Sequence, residues 1–464
     1  MERNIFENIS PLDHRYSLNE KEFTRYSEYF SEKAIMKYQA RVELALVKGF
    51  VREGICPESA IREIEEAIEK IDTTEIYEEE QKTKHNTRAL VNCIRNHVSK
   101  QVKPYIHLGV TSFDIIDTAS ALRYKEATEN LIVPTLIGLE KELMKIAKRE
   151  KKTLQIGRTH GQHAEPITFG FAIAEYISRL GVKIEAIKAT GKNLRGKISG
   201  AVGAYNALSL IVHDPVEFEK IVLSELGLEP AIHSTQIVEP EYLNDFIHHI
   251  VSTFGVLANL ADDMRHLQRT EIGEIGEYFS EQQVGSSTMP HKRNPINYEN
   301  VKSLWKTFAP RMVTLYMDQI SEHQRDLTNS ASSRFVGEIV VGLLSATNRL
   351  IRVFKKLYID RENMKKNFEI SKNLIIAEPL YILLALNGHP DAHEVVRKLT
   401  IDTQKTKKGL WELVQESKEL LPYIKNFTKE QVKILSTPEK YIGKAIEKTE
   451  EVIAYWSKKL KIDI

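Results

Sequence analysis

Five short stretches of the chain concentrate side chains that can move protons or hold anions. Gly285-Ser286-Ser287-Thr288-Met289-Pro290-His291-Lys292-Arg293-Asn294-Pro295 is too polar and too broken by Gly and Pro for a core segment. Gly285 leaves the backbone free, and Pro290 and Pro295 stiffen the far half. Ser286 or Ser287 could serve as nucleophile or base, Lys292 as a carboxylate anchor and Asn294 as an amide donor. The plain alternative is a surface turn. Gly157-Arg158-Thr159-His160-Gly161-Gln162-His163-Ala164-Glu165-Pro166 brackets two histidines with glycines and a proline before a helix. A histidine there suits proton transfer at neutral pH. His160 and His163 also have the three-residue step of a metal pair on a helix face, but no further ligand lies nearby, and a structural loop is the third reading.

Thr111 and Ser112, in Tyr105-Ile106-His107-Leu108-Gly109-Val110-Thr111-Ser112-Phe113-Asp114, precede an apparent helix over 114–123. They read as an N-cap or as hydroxyls framing an anion site at the helix start. Arg325, Ser330 and Arg334 are spaced by five and four, so on a helix Ser330 and Arg334 share a face. Two guanidiniums and a hydroxyl suit a phosphate. Exposed arginines near a helix start are the competing reading. His85, in Thr83-Lys84-His85-Asn86, taken alone is a structural helix residue.

The elements that must position these residues read as helices. Leu243, Phe246, Ile247, Ile250, Phe254, Leu257, Leu260, Met264 and Leu267 recur at steps of three and four. They predict one helix roughly 40 Å long. A second stripe runs from Val336 through Leu343 and Ile351 to Leu357. A third begins after Pro166 with Phe169, Ile173, Ile177 and Leu180. Tyr124 to Lys148 is similar, with Pro134 as a kink or restart. Stripes this long imply a bundle of long helices completed by other subunits. The first hundred residues predict shorter helices, such as 29–51 and 58–71, and Glu78–Glu80 reads as a solvated helix start. Elements shorten again beyond about 364. The expected domains are 1–110, N-terminal; 111–364, the central long-helix bundle; and 365–464, C-terminal.

The 464 residues carry 65 basic and 64 acidic side chains, a net charge of +1. That balance gives no electrostatic footprint for nucleic acid or membrane. No apolar run of about 18 residues predicts a membrane span, and the N-terminus opens no signal-peptide pattern. Cys56 and Cys93 are too few for a disulfide framework or a four-ligand zinc site. They fit small buried apolar groups in a reducing cytoplasm. No P-loop or dinucleotide fingerprint is present. No metal and no cofactor is expected.

The segment 285–295 matches every fixed position of Gly-Ser-Ser-x-Met-Pro-x-Lys-x-Asn-Pro, and so resembles the signature loop of the fumarase/aspartase superfamily. Its members are homotetrameric lyases that eliminate fumarate from a succinyl group. His291 is similar to the adenylosuccinate lyase and cycloisomerase branches. The block 157–166 resembles Gly-Arg-Thr-His-Gly-x-His-Ala-Glu-Pro of the adenylosuccinate lyase branch, and the cycloisomerases generally lack a His at position 160. The resemblance implies a three-domain, all-α fold whose central helices form a 20-helix core in a homotetramer. Each active site then draws on three subunits.

The same resemblance implies roles. Ser286 is the general base and His160 the general acid, with Thr159 a substrate contact. Lys292 and Asn294 stabilise the carbanion-like carboxylate, and Glu299 holds or polarises a histidine. Thr111 and Ser112, in a run similar to Thr-Ser-x-Asp-x-x-Asp/Asn, bind the succinyl part. His85 approaches the leaving nitrogen and the phosphate, although Asn86 stands where the family has Asp. Arg325 and Ser330, in a run similar to Arg-Asp-Leu-Thr-Asp-Ser, hold the nucleotide with Arg334. Arg15 and Tyr16, in Ser10-Pro11-Leu12-Asp13-His14-Arg15-Tyr16, complete the phosphate pocket. Gln236 of Thr235-Gln236 contacts substrate. Weaker matches at 199–206, with Ala204 for the usual Asn, and at 437–443 make the resemblance full length. The implied activity is cleavage of adenylosuccinate, and of the related imidazole carboxamide ribotide SAICAR, to fumarate and the free nucleotide. Alternatives are another lyase of the superfamily, such as a carboxymuconate cycloisomerase or argininosuccinate lyase, and a crystallin-like structural protein.

Overall fold

The computed structural model describes residues 7–16, 20–279, 282, 288–289 and 291–464. Its elements are mostly helices. In chain order they are α1 (Glu20–Phe30), α2 (Glu32–Arg52), α3 (Ser59–Lys70), α4 (Thr73–Thr83), α5 (Asn86–Asn96), α6 (Ser112–Ala127) and α7 (Val133–Glu150). A hairpin, β1 (Leu154–Thr159) and β2 (Gln162–Thr168), leads into α8 (Phe169–Lys192). There follow β3 (Arg195–Gly196), α9 (Pro215–Glu225), β4 (Glu229–Pro230), α10 (Glu241–Leu267) and β5 (Ile275–Gly276). Next are α11 (Ile296–Phe308), α12 (Arg311–Met317), α13 (Val336–Phe354), β6 (Tyr358–Ile359), α14 (Arg361–Ile375), α15 (Ala377–Leu386) and α16 (Ala392–Thr406). The chain ends with α17 (Leu410–Glu416), α18 (Leu421–Ile424), α19 (Lys429–Ser436) and α20 (Ala445–Leu460).

The stripe ending at Leu267 becomes α10, 27 residues long. Residues 29–51 divide at Ser31, which caps α2 by accepting the Ala34 N–H at 3.1 Å. The predicted helix at 114–123 is longer, because Ser112 begins it and a π-helical turn, Thr128–Ile132, carries it up to α7. Glu78–Glu80 do not start a helix. Asp72 caps α4 through the Glu75 N–H, and the acidic run lies in the helix's later half. Both cysteines are buried and unbridged. Burial pushes the Cys56 thiol up to about 11 and the Cys93 thiol, with help from Glu75 and Glu79, up to about 12.

Two compact units result. One comprises the described residues up to Leu136, Val182–Leu257 and Lys302–Asn348; the other comprises those of Ile137–Gly181, Ala258–Val301 and Arg349–Ile464. In the first, α2 and α9 approach closely enough that Phe50 and Phe218 stack at 4.9 Å. A Cβ at Gly49 would lie 2.6 Å from Val222. In the second, Leu380, Leu384, Leu410, Val414 and Leu420 form one core, while Ile156 of β1 packs with Phe368 and Ile375 of α14 in another.

The segment 157–166 is not a loop preceding a helix. It is most of an antiparallel hairpin in which Thr159 pairs with Gln162 and Leu154 with Thr168. His160 and Gly161 form its two-residue turn, with φ of 55° and 75°. Positive φ at both positions is the type I′ geometry that matches strand twist. The three-residue helical step proposed for a metal pair is therefore absent: His160 sits in the turn and His163 on the second strand.

Candidate functional site

In the first unit, one buried carboxylate organises the start of α6. Asp114 Oδ2 accepts the Thr111 N–H at 2.8 Å and the Gly200 N–H at 3.1 Å, while Oδ1 accepts the Ser199 N–H at 3.0 Å. Lys197, also fully buried, donates its ammonium to Oδ1. This ion pair fastens the Gly200–Gly203 turn to the helix start that carries Thr111 and Ser112. Gly203 needs its φ of 77°, and a Cβ there would lie 1.9 Å from the Ser234 carbonyl oxygen. Ser234 Oγ and Ser199 Oγ lie 2.7 Å apart, which places the Thr235–Gln236 turn alongside. The Gln236 N–H in turn donates to the Gln324 carbonyl at 3.4 Å.

Arg325 follows Gln324, and its guanidinium lies over the Phe113 ring at 4.5 Å. It donates to Asn329 Oδ1, while its buried Nε has no hydrogen-bond partner. Thr111, Ser112, Gln236 and Arg325 are thus gathered around one helix N-terminus. Asp117, one turn into α6, accepts the Val238 N–H at 2.9 Å. Burial pushes its carboxyl up to about 6, against the pull of that N–H and of Lys197 and Arg325.

Ser330 and Arg334 do not share a helical face. Asp326 accepts the Thr328 N–H at 2.9 Å, the Thr328 hydroxyl at 2.6 Å and the Glu322 N–H at 2.9 Å. These bonds hold its carboxyl down at about 2 and stabilise a turn in place of a helix. Ser330 lies exposed in that turn, donating its N–H to Leu327 O at 3.0 Å, and Arg334 is exposed in a 3₁₀ turn, Ser332–Phe335. Near the N-terminus, Ser10 caps a 3₁₀ turn, Pro11–Asp13. Arg15 beyond it is exposed and Tyr16 half-buried.

His85 is the N-cap of α5, and its Nδ1 accepts the Arg88 N–H at 3.2 Å. An accepting Nδ1 carries no proton, so the neutral ring holds its proton on Nε2. Asn86 does not orient the ring; its Oδ1 accepts the Thr87 N–H at 2.7 Å.

In the second unit, His160 is exposed at the hairpin tip beside exposed Thr159. A histidine at positive φ is uncommon and marks a position held by its surroundings. The hairpin's frame is specific. A bulge interrupts the register between Ile156 and Arg158, and a Cβ at Gly157 would lie 2.7 Å from the Glu165 carbonyl oxygen. Arg158 pairs with wholly buried Glu274 at 2.6 Å. His163 Nδ1 lies 2.7 Å from Ser371 Oγ. Burial, then the charge of Arg158, lowers its pKa.

Ser286 lies outside the described residues, and Lys292, Asn294 and Glu299 mark the far end of its segment. Lys292 is exposed, with its N–H donated to Met289 O at 3.0 Å. Asn294 is half-buried, and Glu299 is exposed in the first turn of α11. Sequence reasoning missed the group that secures this end. Glu277 Oε1 accepts the Asn297 N–H at 2.9 Å and the Tyr298 N–H at 3.1 Å, capping α11 from outside the helix. Gln268 accepts the Glu277 N–H at 3.0 Å and donates to Arg293 O at 3.3 Å. Burial raises the Glu277 carboxyl, opposed by Asn297 and Tyr298. No local signal marks Glu277, because its partners lie twenty residues on.

The first unit presents an amide- and hydroxyl-rich helix start beside a stacked guanidinium; the second presents an exposed histidine on a hairpin turn. Among the described residues no cluster of His, Cys, Asp and Glu could hold a metal ion. Comparison with known proteins agrees in kind. Residues 15–306 match the family model described as Lyase, and residues 321–442 match Adenylosuccinate lyase C-terminal. The chain is 35% identical over 96% of its length, and 98% of the relative's, to an adenylosuccinate lyase of Pyrococcus horikoshii. It is 34% identical over 96% of its length, and 95% of the relative's, to that of Methanocaldococcus jannaschii. Among solved structures, 3-carboxy-cis,cis-muconate lactonizing enzyme from Pseudomonas putida superposes with a TM-score of 0.83 over 96% of this chain and all of that one. At 24% identity that likeness shows the shared fold alone. With two family models spanning most of its length and full-length relatives above 30% identity, the chain belongs to the adenylosuccinate lyase family.

Proposed function

We propose that this protein is a carbon–nitrogen lyase that eliminates fumarate from adenylosuccinate, leaving AMP, and from SAICAR, leaving AICAR, in purine nucleotide biosynthesis. The observation that carries the reading is the full-length relationship to adenylosuccinate lyases, including their C-terminal region. The chemistry removes a weakly acidic C–H proton beside a carboxylate while the amine leaves from the neighbouring carbon. No water is added. Extra negative charge develops on that carboxylate, where preorganised donors are worth several kcal/mol.

Ser286 acts as base. A serine needs activation by cationic or dipolar neighbours, and Lys292 is the nearest lysine or arginine in sequence. Lys292 and Asn294 receive the growing carboxylate charge. His160 protonates the leaving nitrogen, His85 presents its Nε2–H near that nitrogen and the phosphate, and Glu299 polarises a histidine. Thr111 and Ser112 hold the succinyl part, and Thr159 and Gln236 contact the substrate. Arg15, Tyr16, Arg325, Ser330 and Arg334 take the phosphate. The position of the Arg325 guanidinium over Phe113, beside the N-terminus of α6, supports this reading.

The protein works in the cytoplasm as a homotetramer with sites shared between subunits, and divides functionally at about 110 and 364. No described helix is long and apolar enough to cross a membrane.

The test is to incubate the purified protein with adenylosuccinate, SAICAR, argininosuccinate and a carboxymuconate, and to separate the products by chromatography. Fumarate with AMP from the first, and with AICAR from the second, is expected. A folded, assembled protein that releases neither, or that turns over only the muconate, overturns the assignment.

A further inference from the structure

We propose that Glu274 is a positioning residue for the reaction: through Arg158 it fixes the hairpin tip from which His160 works. The proposal rests on the reading of His160 as the proton donor. Glu274 is wholly buried, and its carboxylate gathers donors from two elements. Oε1 takes the Arg158 guanidinium at 2.6 Å and the Asn367 amide of α14 at 2.9 Å, and Oε2 takes the Gln155 amide at 2.7 Å. Its own backbone is pinned at both ends. The Glu274 N–H donates to Leu267 O at 3.0 Å, closing the turn after α10, and its carbonyl accepts the Asp360 N–H at 2.9 Å. Asn367 also donates to Ile272 O at 2.8 Å. The carboxylate is therefore a fixed point, and both of its contacts on β1 lie within five residues of His160.

The leverage follows from the hairpin's shape. Beyond Arg158 only Thr159 separates the anchored strand from the turn, and residues 159–162 are exposed. The direction of the His160 ring is set by where β1 is held. The bulge at 156–158 gives the strand a local bend, and the Arg158–Glu274 pair is the contact that selects one orientation of it. A buried ion pair is weak evidence for stability, because apolar residues of similar volume commonly do as well. It does supply direction, and proton transfer depends on it: a misplacement of about 1 Å can cost about a hundredfold in rate.

A double-mutant cycle tests the proposal. His160→Asn removes the imidazole while keeping a residue that favours the turn's positive φ. Turnover and KM for adenylosuccinate are measured for Glu274→Gln, His160→Asn and the double variant. Glu274→Gln is expected to lower kcat by about ten- to a hundredfold with KM within about twofold, and to cost nothing further once His160 is Asn. A full extra loss in the His160→Asn background means that Glu274 acts elsewhere, which overturns the proposal and leaves His160 as acid. Wild-type turnover of Glu274→Gln also overturns it. Wild-type turnover of His160→Asn alone removes the acid assignment, and the positioning role falls with it. If Glu274→Gln does not fold, Arg158→Lys, which keeps the charge but loses the planar guanidinium, replaces it in the same cycle with the same expected coupling.

Discussion

The role proposed for His85 would give one residue two duties that a single substitution would confuse. Its Nδ1 caps α5 and its Nε2 is left to donate. Asparagine is among the best N-caps and its oxygen reaches the same helix N–H groups, but it has no second nitrogen projecting away from the helix. His85→Asn is therefore expected to keep thermal stability within about 0.5 kcal/mol of the parent while kcat/KM for adenylosuccinate falls at least about a hundredfold. Calorimetry and steady-state kinetics on one preparation read both. A variant that stays fully active would reduce His85 to a helix cap. The sequence made His85 legible only through resemblance, because nothing in Thr83–Asn86 distinguishes a capping histidine from a functional one. The departure at Asn86 is resolved by geometry: its side chain serves the Thr87 N–H and leaves the orientation of His85 to the cap.

Elements were legible where a pattern is sustained, and hidden where long-range partners decide. The stripe ending at Leu267 has enough turns to identify α10. The hairpin carrying His160 escaped because its strands are short, interrupted by a bulge and placed directly before α8. The available signal was His160-Gly161, two residues that tolerate positive φ, flanked by Ile156 and Ile167. The turn at 325–330 escaped for a different reason: Asp326 satisfies local N–H groups that a helix would have used. Gly157 gives a test at this scale. A Cβ there would sit 2.7 Å from the Glu165 carbonyl, which is backbone and cannot swing aside. Gly157→Ala is expected to destabilise by about 1–3 kcal/mol through overpacking. Amide exchange should rise across 154–168 and stay unchanged in α15 and α16, which lie in a separate core. Exchange that matches the parent across the hairpin would mean that the bulge accommodates a side chain.

At the scale of the whole molecule, the unresolved demand is apolar surface. In the first unit α12 buries Met312 and Leu315 inward, yet Val313 and Met317 remain 58% and 68% exposed. Ile320 just beyond the helix is 80% exposed and Phe335 is 53% exposed. A cluster of exposed apolar side chains of this kind, rimmed by polar residues, marks an association surface. A groove of about 290 Å³ lined by Arg311, Leu315, Phe335 and Ile339 lies against it. The covering partner that suits the proposed homotetramer is another copy of the chain. The side chain of Met317 points away from its own unit's core, so replacing it should spare the fold while opposing burial. Met317→Glu is expected to shift sedimentation towards smaller species and to reduce turnover in parallel, because a desolvated, unpaired carboxylate is costly at an interface. Circular dichroism should remain that of the parent. Retention of the parental assembly and turnover would show that this face is not the contact. Loss of assembly with full turnover would show instead that a single chain holds every residue the reaction needs, which contradicts the shared-site proposal directly.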